Sequence, residues 1–178
     1  MKKLLWGLVV LGVCFPAAAR AQVTLNMSQV TCGNYLAMAP DQSRKFSAWM
    51  SGWFNNRWGY VSVGMNDFAR NVASVKQWCT TNQRDTVMAA LERSHPQPGP
   101  VTGQLKVDMS LLTCSQYLKS DPERQEMIAA WMSGYFSASR DQSVFDFNRF
   151  DRNTGTVTNF CKKRGGETLM SAIQKSVK

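Results

Sequence analysis

The segment AWMSGWF at residues 48–54 returns almost unchanged as AWMSGYF at residues 130–136, 82 positions later. The same offset aligns residues 30–94 with residues 112–176 without a gap and gives 21 identities in 65 positions. Chance alone would give roughly 4 identities at ordinary composition. The sequence therefore predicts a tandem of two copies of one small fold.

The repeated segment has the apolar spacing of an amphipathic helix. Apolar residues occupy positions i, i+3, i+4, i+7 and i+8 in both copies: Phe46, Trp49, Met50, Trp53 and Phe54, and then Ile128, Trp131, Met132, Tyr135 and Phe136. The pattern predicts that Trp49, Met50, Trp131 and Met132 lie in the core. Gly52 and Gly134 share one register, and a glycine inside a helix costs about 1 kcal/mol relative to alanine. We therefore expect another backbone to pack closely against both glycines.

Cap and turn signals place further elements around this helix. Thr31 and Thr113 are expected to be the N-caps of a short first helix, and Pro40 and Pro122 are expected to begin the amphipathic second helix. An extended piece is predicted to follow, at Val61 and Val63 and at Val144, Phe145 and Phe147. Asn66 and Asn148 are then expected to cap a third helix, and a fourth helix ends each copy. The predicted fold class is all-α, with two tandem four-helix domains.

The N-terminus has the three parts of a secretory signal peptide. Two lysines at 2–3 precede a 12-residue apolar run at 4–15, and Ala-Arg-Ala at 19–21 supplies the small residues of a cleavage site. An apolar run of this length is short for a bilayer span, so cleavage after Ala21 is expected, with an uncleaved anchor as the alternative. No later stretch is long and apolar enough to predict an integral membrane segment.

The cysteines of the exported chain fall into two equal pairs. Loss of Cys14 with the signal leaves four cysteines: Cys32, Cys79, Cys114 and Cys161. An even number of cysteines in an exported protein favours disulfides. The two cysteines of each copy are 47 residues apart, and each copy must have folded alone before duplication, which predicts one bridge within each copy. Free thiols or one metal site built from all four are the alternative, although a zinc site usually has close Cys-x-x-Cys pairs.

The expected domain organisation has four parts: a signal peptide at 1–21, a first copy at 22–94, a linker at 95–111 and a second copy at 112–178. The linker is marked by HPQPGPVTG, which holds three prolines and two glycines, and both residue types interrupt helices and strands. His95 opens this segment and is expected to be a solvated linker residue.

Composition excludes several classes of function. The full chain carries a net charge of +9; without the three basic residues of the signal, 18 basic and 12 acidic side chains leave +6. The chain has no basic stripe with interleaved aromatic residues, so no nucleic-acid partner is expected. It has one histidine, no evident carboxylate pair for acid–base chemistry and neither a glycine-rich phosphate loop nor a G-x-S-x-G motif. No catalytic, metal or cofactor site is therefore predicted, and a non-enzymatic protein is expected.

The order of these motifs resembles the HdeA/HdeB family of periplasmic acid-stress chaperones. Each copy has T-C-x-x-[YF]-L and then an apolar helix around AWM, and the first copy continues with V-x-V and NDF…NVASVKQWCTTN around its second cysteine. The resemblance implies a homodimer that is inactive at neutral pH and that loosens in acid to expose apolar surface for unfolded clients. This chain departs from the family pattern in being a covalent tandem and in being basic at neutral pH.

The resemblance implies a periplasmic holdase whose partners are unfolded client proteins and whose two copies pack against each other. The candidate client-binding surface consists of six aromatic residues: Trp53, Phe54, Trp58, Tyr60, Tyr135 and Phe136. Trp58 and Tyr60 have Arg140 and Gln142 as counterparts in the second copy, so they either cover the local core or form an exposed contact. The alternative function is an interaction module of fixed specificity, such as an immunity-type inhibitor of a toxin.

Overall fold

The computed structural model describes residues 24–94 and 106–177. The predicted signal peptide and His95 lie outside these ranges. Each copy has the same order of elements, namely strand, two helices, strand and two helices. The first copy holds β1 (Thr24–Asn26), α1 (Cys32–Leu36), α2 (Pro40–Arg57), β2 (Ser62–Gly64), α3 (Met65–Thr81) and α4 (Val87–Ser94). The second holds β3 (Lys106–Asp108), α5 (Cys114–Lys119), α6 (Pro122–Ala138), β4 (Val144–Asp146), α7 (Phe147–Lys163) and α8 (Leu169–Ser176).

The predicted fold class is confirmed, with four helices in each copy across the described ranges. The N-cap predictions for the first helix are also confirmed. The Thr31 hydroxyl accepts the backbone N–H of Asn34, and the Thr113 hydroxyl accepts that of Gln116, each at 3.2 Å. Gln116 completes a capping box, because its side-chain oxygen accepts the backbone N–H of Thr113 at 2.9 Å.

The start of the third helix differs from the sequence prediction. Asn66 and Asn148 are not caps but lie one residue inside α3 and α7. The strands β2 and β4 run directly into α3 and α7, so the cap position of each helix falls on the last residue of the strand. In α7 this residue is Asp146, whose carboxylate accepts the backbone N–H of Arg149 at 2.8 Å. For the same reason Phe147, predicted to be extended, is the first residue of α7.

One disulfide joins the first and third helices of each copy, as predicted. Cys32 begins α1 and bonds Cys79 near the end of α3, with a Cα–Cα distance of 4.8 Å. Cys114 and Cys161 form the equivalent bridge between α5 and α7, with a Cα–Cα distance of 4.9 Å. All four cysteines are fully buried.

The strands connect the two copies. β1 of the first copy pairs antiparallel with β4 of the second, and β3 of the second copy pairs antiparallel with β2 of the first. Each copy therefore places its N-terminal strand on its neighbour. The second copy contributes ordered structure from Lys106 onward, within the segment that the sequence assigned to the linker at 95–111.

Both hydrophobic cores contain side chains from both copies. Trp49 of the first copy packs with Phe145 of the second, at a ring separation of 5.5 Å, and Val63 of the first copy belongs to the core that surrounds Trp131. The four side chains predicted to be core are at most 3% exposed: Trp49, Met50, Trp131 and Met132. Among the residues with described positions, no helix combines the length and apolar character that crossing a membrane requires.

Candidate functional site

The contact between α2 and α6 is the candidate site, because exposure of the apolar helix faces depends on it. The two helices approach most closely at Gly52 and Gly134. A Cβ atom at Gly52 would overlap the carbonyl oxygen of Trp131 and lie 2.7 Å from its carbonyl carbon. A Cβ atom at Gly134 would meet the carbonyl group of Trp49 in the same way, also with 2.7 Å to the carbon. The predicted close backbone is thus confirmed, and the contact is reciprocal like that of a twofold dimer.

Backbone and side-chain hydrogen bonds extend this contact on both sides. The backbone N–H of Met27 donates to the carbonyl of Ser143, and the equivalent N–H of Met109 donates to that of Val61, each at 2.9 Å. The indole N–H of Trp53 also crosses between the copies and donates to the backbone carbonyl of Gln142 at 2.9 Å.

Ion pairs at the edge of the contact break the twofold symmetry. In all four, the first copy supplies the cation from α2 and the second copy supplies the carboxylate: Arg44–Glu123 at 3.5 Å, Lys45–Glu126 at 3.0 Å, Lys45–Asp151 at 3.7 Å and Arg57–Asp141 at 3.2 Å. The Arg44 and Arg57 pairs are exposed, and exposed ion pairs contribute about 0–1 kcal/mol each. Together they give the contact an electrostatic component that depends on carboxylates of the second copy.

Lys45 is the most enclosed member of this network, with 14% of its side chain exposed. Burial lowers the pKa of Lys45, but the hydrogen bond to Glu126 and the charges of Glu126, Asp151 and Asp41 outweigh it, and the pKa is raised. The ammonium group therefore stays charged throughout the acid range. The counterpart of Lys45 in the second copy is the uncharged Met127.

The six candidate surface residues differ in how far the fold buries them. Trp53 is buried, and Phe54 and Tyr135 are partly buried; Trp53 packs edge-on against Phe54 with ring centroids 5.2 Å apart, and Tyr135 stacks on Trp131 at 5.2 Å. Trp58 and Tyr60 are each 46% exposed. The sixth residue, Phe136, is partly buried and lines an open groove in the second copy.

The six residues do not form one continuous patch. Phe54 joins Trp53 to Trp58 in a row along α2, with its ring 5.4 Å from that of Trp58. Tyr135 and Phe136 form a separate pair on α6, with centroids 5.9 Å apart. In the folded protein, this row is most exposed at its Trp58 end.

Two carboxylates of the second copy support local turns through hydrogen bonds. Asp108 accepts the backbone N–H of Ser110 at 2.9 Å and its hydroxyl at 2.6 Å, and these bonds hold the pKa of Asp108 below its usual value. Glu167 accepts Lys175 at 2.6 Å and the hydroxyl of Ser171 at 3.1 Å, which lowers its pKa as well. A carboxylate with a depressed folded pKa stabilises the fold above its unfolded pKa, near 4, and loses this contribution as the pH falls through the folded value.

Asp108→Asn is expected to make the fold less sensitive to acid. The counterpart of Asp108 is Asn26, whose side-chain oxygen accepts the backbone N–H of Ser28 at 3.2 Å and its hydroxyl at 2.8 Å, so asparagine can keep the turn without titrating. The unfolding midpoint in a pH titration, followed by near-ultraviolet circular dichroism, should move to lower pH. Glu92→Gln, at an exposed position on α4, controls for the loss of one negative charge. Equal shifts in both variants would contradict a specific role of the Asp108 turn.

Sequence reasoning missed the ion pairs and the exchanged strands. The Met-Ser dipeptide at 27–28 and again at 109–110 is a signal that could have extended the repeat toward β1 and β3, because it keeps the offset of 82. The ion pairs carry no such signal, since their members are not equivalent in the two copies.

Comparison with known proteins agrees with the tandem architecture. The model of the HdeA/HdeB family matches the chain twice, at residues 4–89 and at residues 87–171. Comparison with curated proteins and with solved structures gave no match. The two family matches together span nearly the whole sequence. The chain therefore belongs to the HdeA/HdeB family, a family of periplasmic acid-stress chaperones, and it carries two family-like domains in tandem.

Proposed function

We propose that this protein is a periplasmic holdase that opens in acid and prevents unfolded proteins from aggregating. The observation that carries the proposal is the contact between α2 and α6, where every ion pair depends on a carboxylate of the second copy. Family membership supports the periplasmic location, and two buried disulfides are typical of an oxidising compartment. Export would use the signal peptide predicted at 1–21, and the linker predicted at 95–111 would be shorter at its end, because β3 of the second copy begins at Lys106.

Acid changes the charge of the whole molecule. All 12 carboxylate side chains lie in the mature sequence, and most become neutral at pH 2–3, since ordinary carboxyl pKa values are near 4. The 18 basic side chains stay charged and His95 gains a proton, so the side-chain charge rises from +6 to about +19. The cations of α2 then lose their partners and face a second copy that is itself strongly positive. Self-repulsion of this kind disfavours the compact state.

Separation of α2 from α6 would create the client-binding surface. It would uncover Trp53 and Phe54 on α2 and Tyr135 and Phe136 on α6, and would join them to the already exposed Trp58. Unfolded clients are also positive in acid, so their attraction to this surface comes from apolar burial, which does not depend on the sign of charge. The disulfides survive acid, so each copy loosens without becoming a free coil and can close again on neutralisation.

Light scattering of an acid-sensitive client tests the proposal. The mature protein is expected to suppress client aggregation at pH 2–3 and during the return to neutral pH, and to have no effect on a client aggregating at pH 7. No suppression at any acid pH, with the fold confirmed at pH 7, would reject the holdase function.

A disulfide between the copies tests whether separation is required. Asn26 and Val144 lie opposite each other in the β1–β4 pairing, so Asn26→Cys with Val144→Cys can bridge the two copies. The bridged protein, verified by peptide mapping without reduction, should lose most of its holding capacity at pH 2–3. The control is Asn26→Ser with Val144→Ser, which changes the same positions without a bridge. Equal activity of bridged and control proteins would mean that clients bind without separation of the copies.

The exposure of Trp58 and Tyr60 favours a second candidate, an interaction module of fixed specificity. Each is 46% exposed, and the second copy has the polar Arg140 and Gln142 at the equivalent positions. A single periplasmic protein captured at pH 7 in a defined ratio, and lost with Trp58→Arg and Tyr60→Gln, would support this candidate. Capture of many proteins at pH 3 and none at pH 7 would support the holdase.

A further inference from the structure

The second core contains a cavity of about 210 Å³ at the junction of the two copies. Its lining is mainly apolar and comes from both copies, with Val63, Met65 and Phe68 on one side and Met109, Ile128 and Trp131 on the other. For comparison, an apolar cavity of about 150 Å³ in another protein binds benzene. The space is therefore large enough for a small apolar group.

The cavity exists because the two copies have diverged at the residues that line it. The offset of 82 relates Val63 to Phe145, Met65 to Phe147 and Ile128 to Phe46. In that equivalent place the phenylalanine rings pack tightly: Phe145 lies 4.7 Å from Phe147, 5.6 Å from Phe150 and 5.5 Å from Trp49. The same framework is thus filled by aromatic rings in one half and lined by smaller side chains in the other.

Polar groups of the lining offer hydrogen-bond donors. Arg124 is the one charged residue of the lining, and its side chain is 56% exposed, which places it toward solvent; its nearest ionic partner is Asp121, at 3.7 Å on the same helix. The side-chain oxygen of Gln116 is already used by Thr113, which leaves the amide NH₂ as a donor. Trp131 is 1% exposed, and its indole N–H, like that of its counterpart Trp49, has no acceptor among the residues that the structure describes. An apolar cavity with a cation and neutral donors matches an alkyl chain that ends in an acid group.

We propose that this cavity binds a medium-chain fatty acid at neutral pH, with the alkyl chain between the two copies and the carboxylate at Arg124. The ligand would contact α3 and β2 of the first copy and α5 and α6 of the second, so it would stabilise the closed arrangement by mass action. This proposal does not depend on the holdase function, because binding is measured at pH 7 without a client.

Calorimetric titration of the mature protein at pH 7 with octanoate tests the proposal, with octanol and octyltrimethylammonium as probes of the same chain length. Saturable binding of one octanoate per chain is expected, together with a rise in Tm. Octanol should bind more weakly than octanoate, and octyltrimethylammonium most weakly, because Arg124 repels it. Absence of saturable octanoate binding, or tighter binding of octyltrimethylammonium, would overturn the proposal.

Variants that copy the other half of the molecule locate the site. Val63→Phe copies Phe145 and Ile128→Phe copies Phe46, and either one, if folded by near-ultraviolet circular dichroism, should abolish octanoate binding. Arg124→Gln introduces the residue found at the equivalent position 42 of the first copy. It should weaken the binding of octanoate by up to about fivefold and leave the affinity for octanol unchanged. The control Arg84→Gln, on an exposed loop of the first copy, should change neither. Octanoate binding that survives a folded filling variant, or an affinity that Arg124→Gln does not alter, would contradict the assignment.

Discussion

Gly52→Ala is expected to destabilise the folded tandem by about 3 kcal/mol or more, and Gly134→Ala is expected to have an effect of the same size. Overpacking a core typically costs 1–3 kcal/mol, because side chains must leave their preferred rotamers. Here the new methyl group would meet backbone, the carbonyl groups of Trp131 and Trp49, which cannot rotate away. Relief requires α2 and α6 to move apart, so the loss of stability should be accompanied by greater exposure of Trp53.

Urea unfolding at pH 7, followed by tryptophan fluorescence, measures this loss. Gly155→Ala is the matched control, because Gly155 lies inside α7 and a Cβ added there would have no atom within 4 Å. The residue at the equivalent position of the first copy is Ala73. This control should stabilise the protein by about 0.5–1 kcal/mol, the usual gain from removing a glycine inside a helix. A Gly52 variant as stable as the wild type would show that the close approach of α2 and α6 does not persist in solution.

Removal of the second disulfide, by Cys114→Ala with Cys161→Ala, is expected to cost about 4 kcal/mol. The bridge closes a loop with a sequence separation of 47, and in the chain-entropy account a loop of this length restricts the unfolded state by about that amount. Both cysteines are fully buried, so the double variant also leaves unfilled space between α5 and α7.

Urea unfolding of the double variant at pH 7 and at pH 3 tests the disulfide contribution. The first copy keeps its own bridge, so reduction of the wild-type protein with dithiothreitol should have a larger effect than the double variant. At pH 3 the variant should unfold and fail to regain its native signal with wild-type efficiency after neutralisation. Unfolding midpoints equal to those of the wild type at both pH values would show that α5 and α7 are held by packing alone.

The sequence predicted those features of the fold that repeat or that depend on neighbouring residues. The amphipathic second helix follows from its 3.6-residue periodicity, the Thr31 and Thr113 caps follow from local hydrogen-bond chemistry, and the disulfide pairing follows from equal spacing in two copies. The predicted caps at Asn66 and Asn148 were wrong because the strand runs directly into the helix, which no local signal distinguishes from a turn. Strands of three residues, such as β1, are too short to show the alternation of apolar and polar residues by which a strand is predicted from sequence.

The candidate site was predictable only in part, because a contact between two copies depends on their relative register. Gly52 and Gly134 indicated a close backbone, because a glycine inside a helix is less favourable than alanine unless a neighbouring chain leaves no space for a side chain. The partners of Lys45 could not be predicted, because Glu126 and Asp151 lie on different helices of the second copy and their proximity depends on the packing of both against α2. The exposure of Trp58 and Tyr60 could not be predicted from the apolar periodicity of the second helix. The sequence therefore left open whether they cover the local core or form an exposed contact.

The exchange of strands between copies within one chain also sets the kinetic order of reassembly. When two separate chains form a dimer, their encounter rate falls with dilution, and so does their apparent stability. In this protein the strands β1 and β4 belong to the same polypeptide, so copies that separate as proposed would re-pair in a first-order reaction. The rate of this re-pairing would not depend on protein concentration, unlike that of a dimer built from two separate chains.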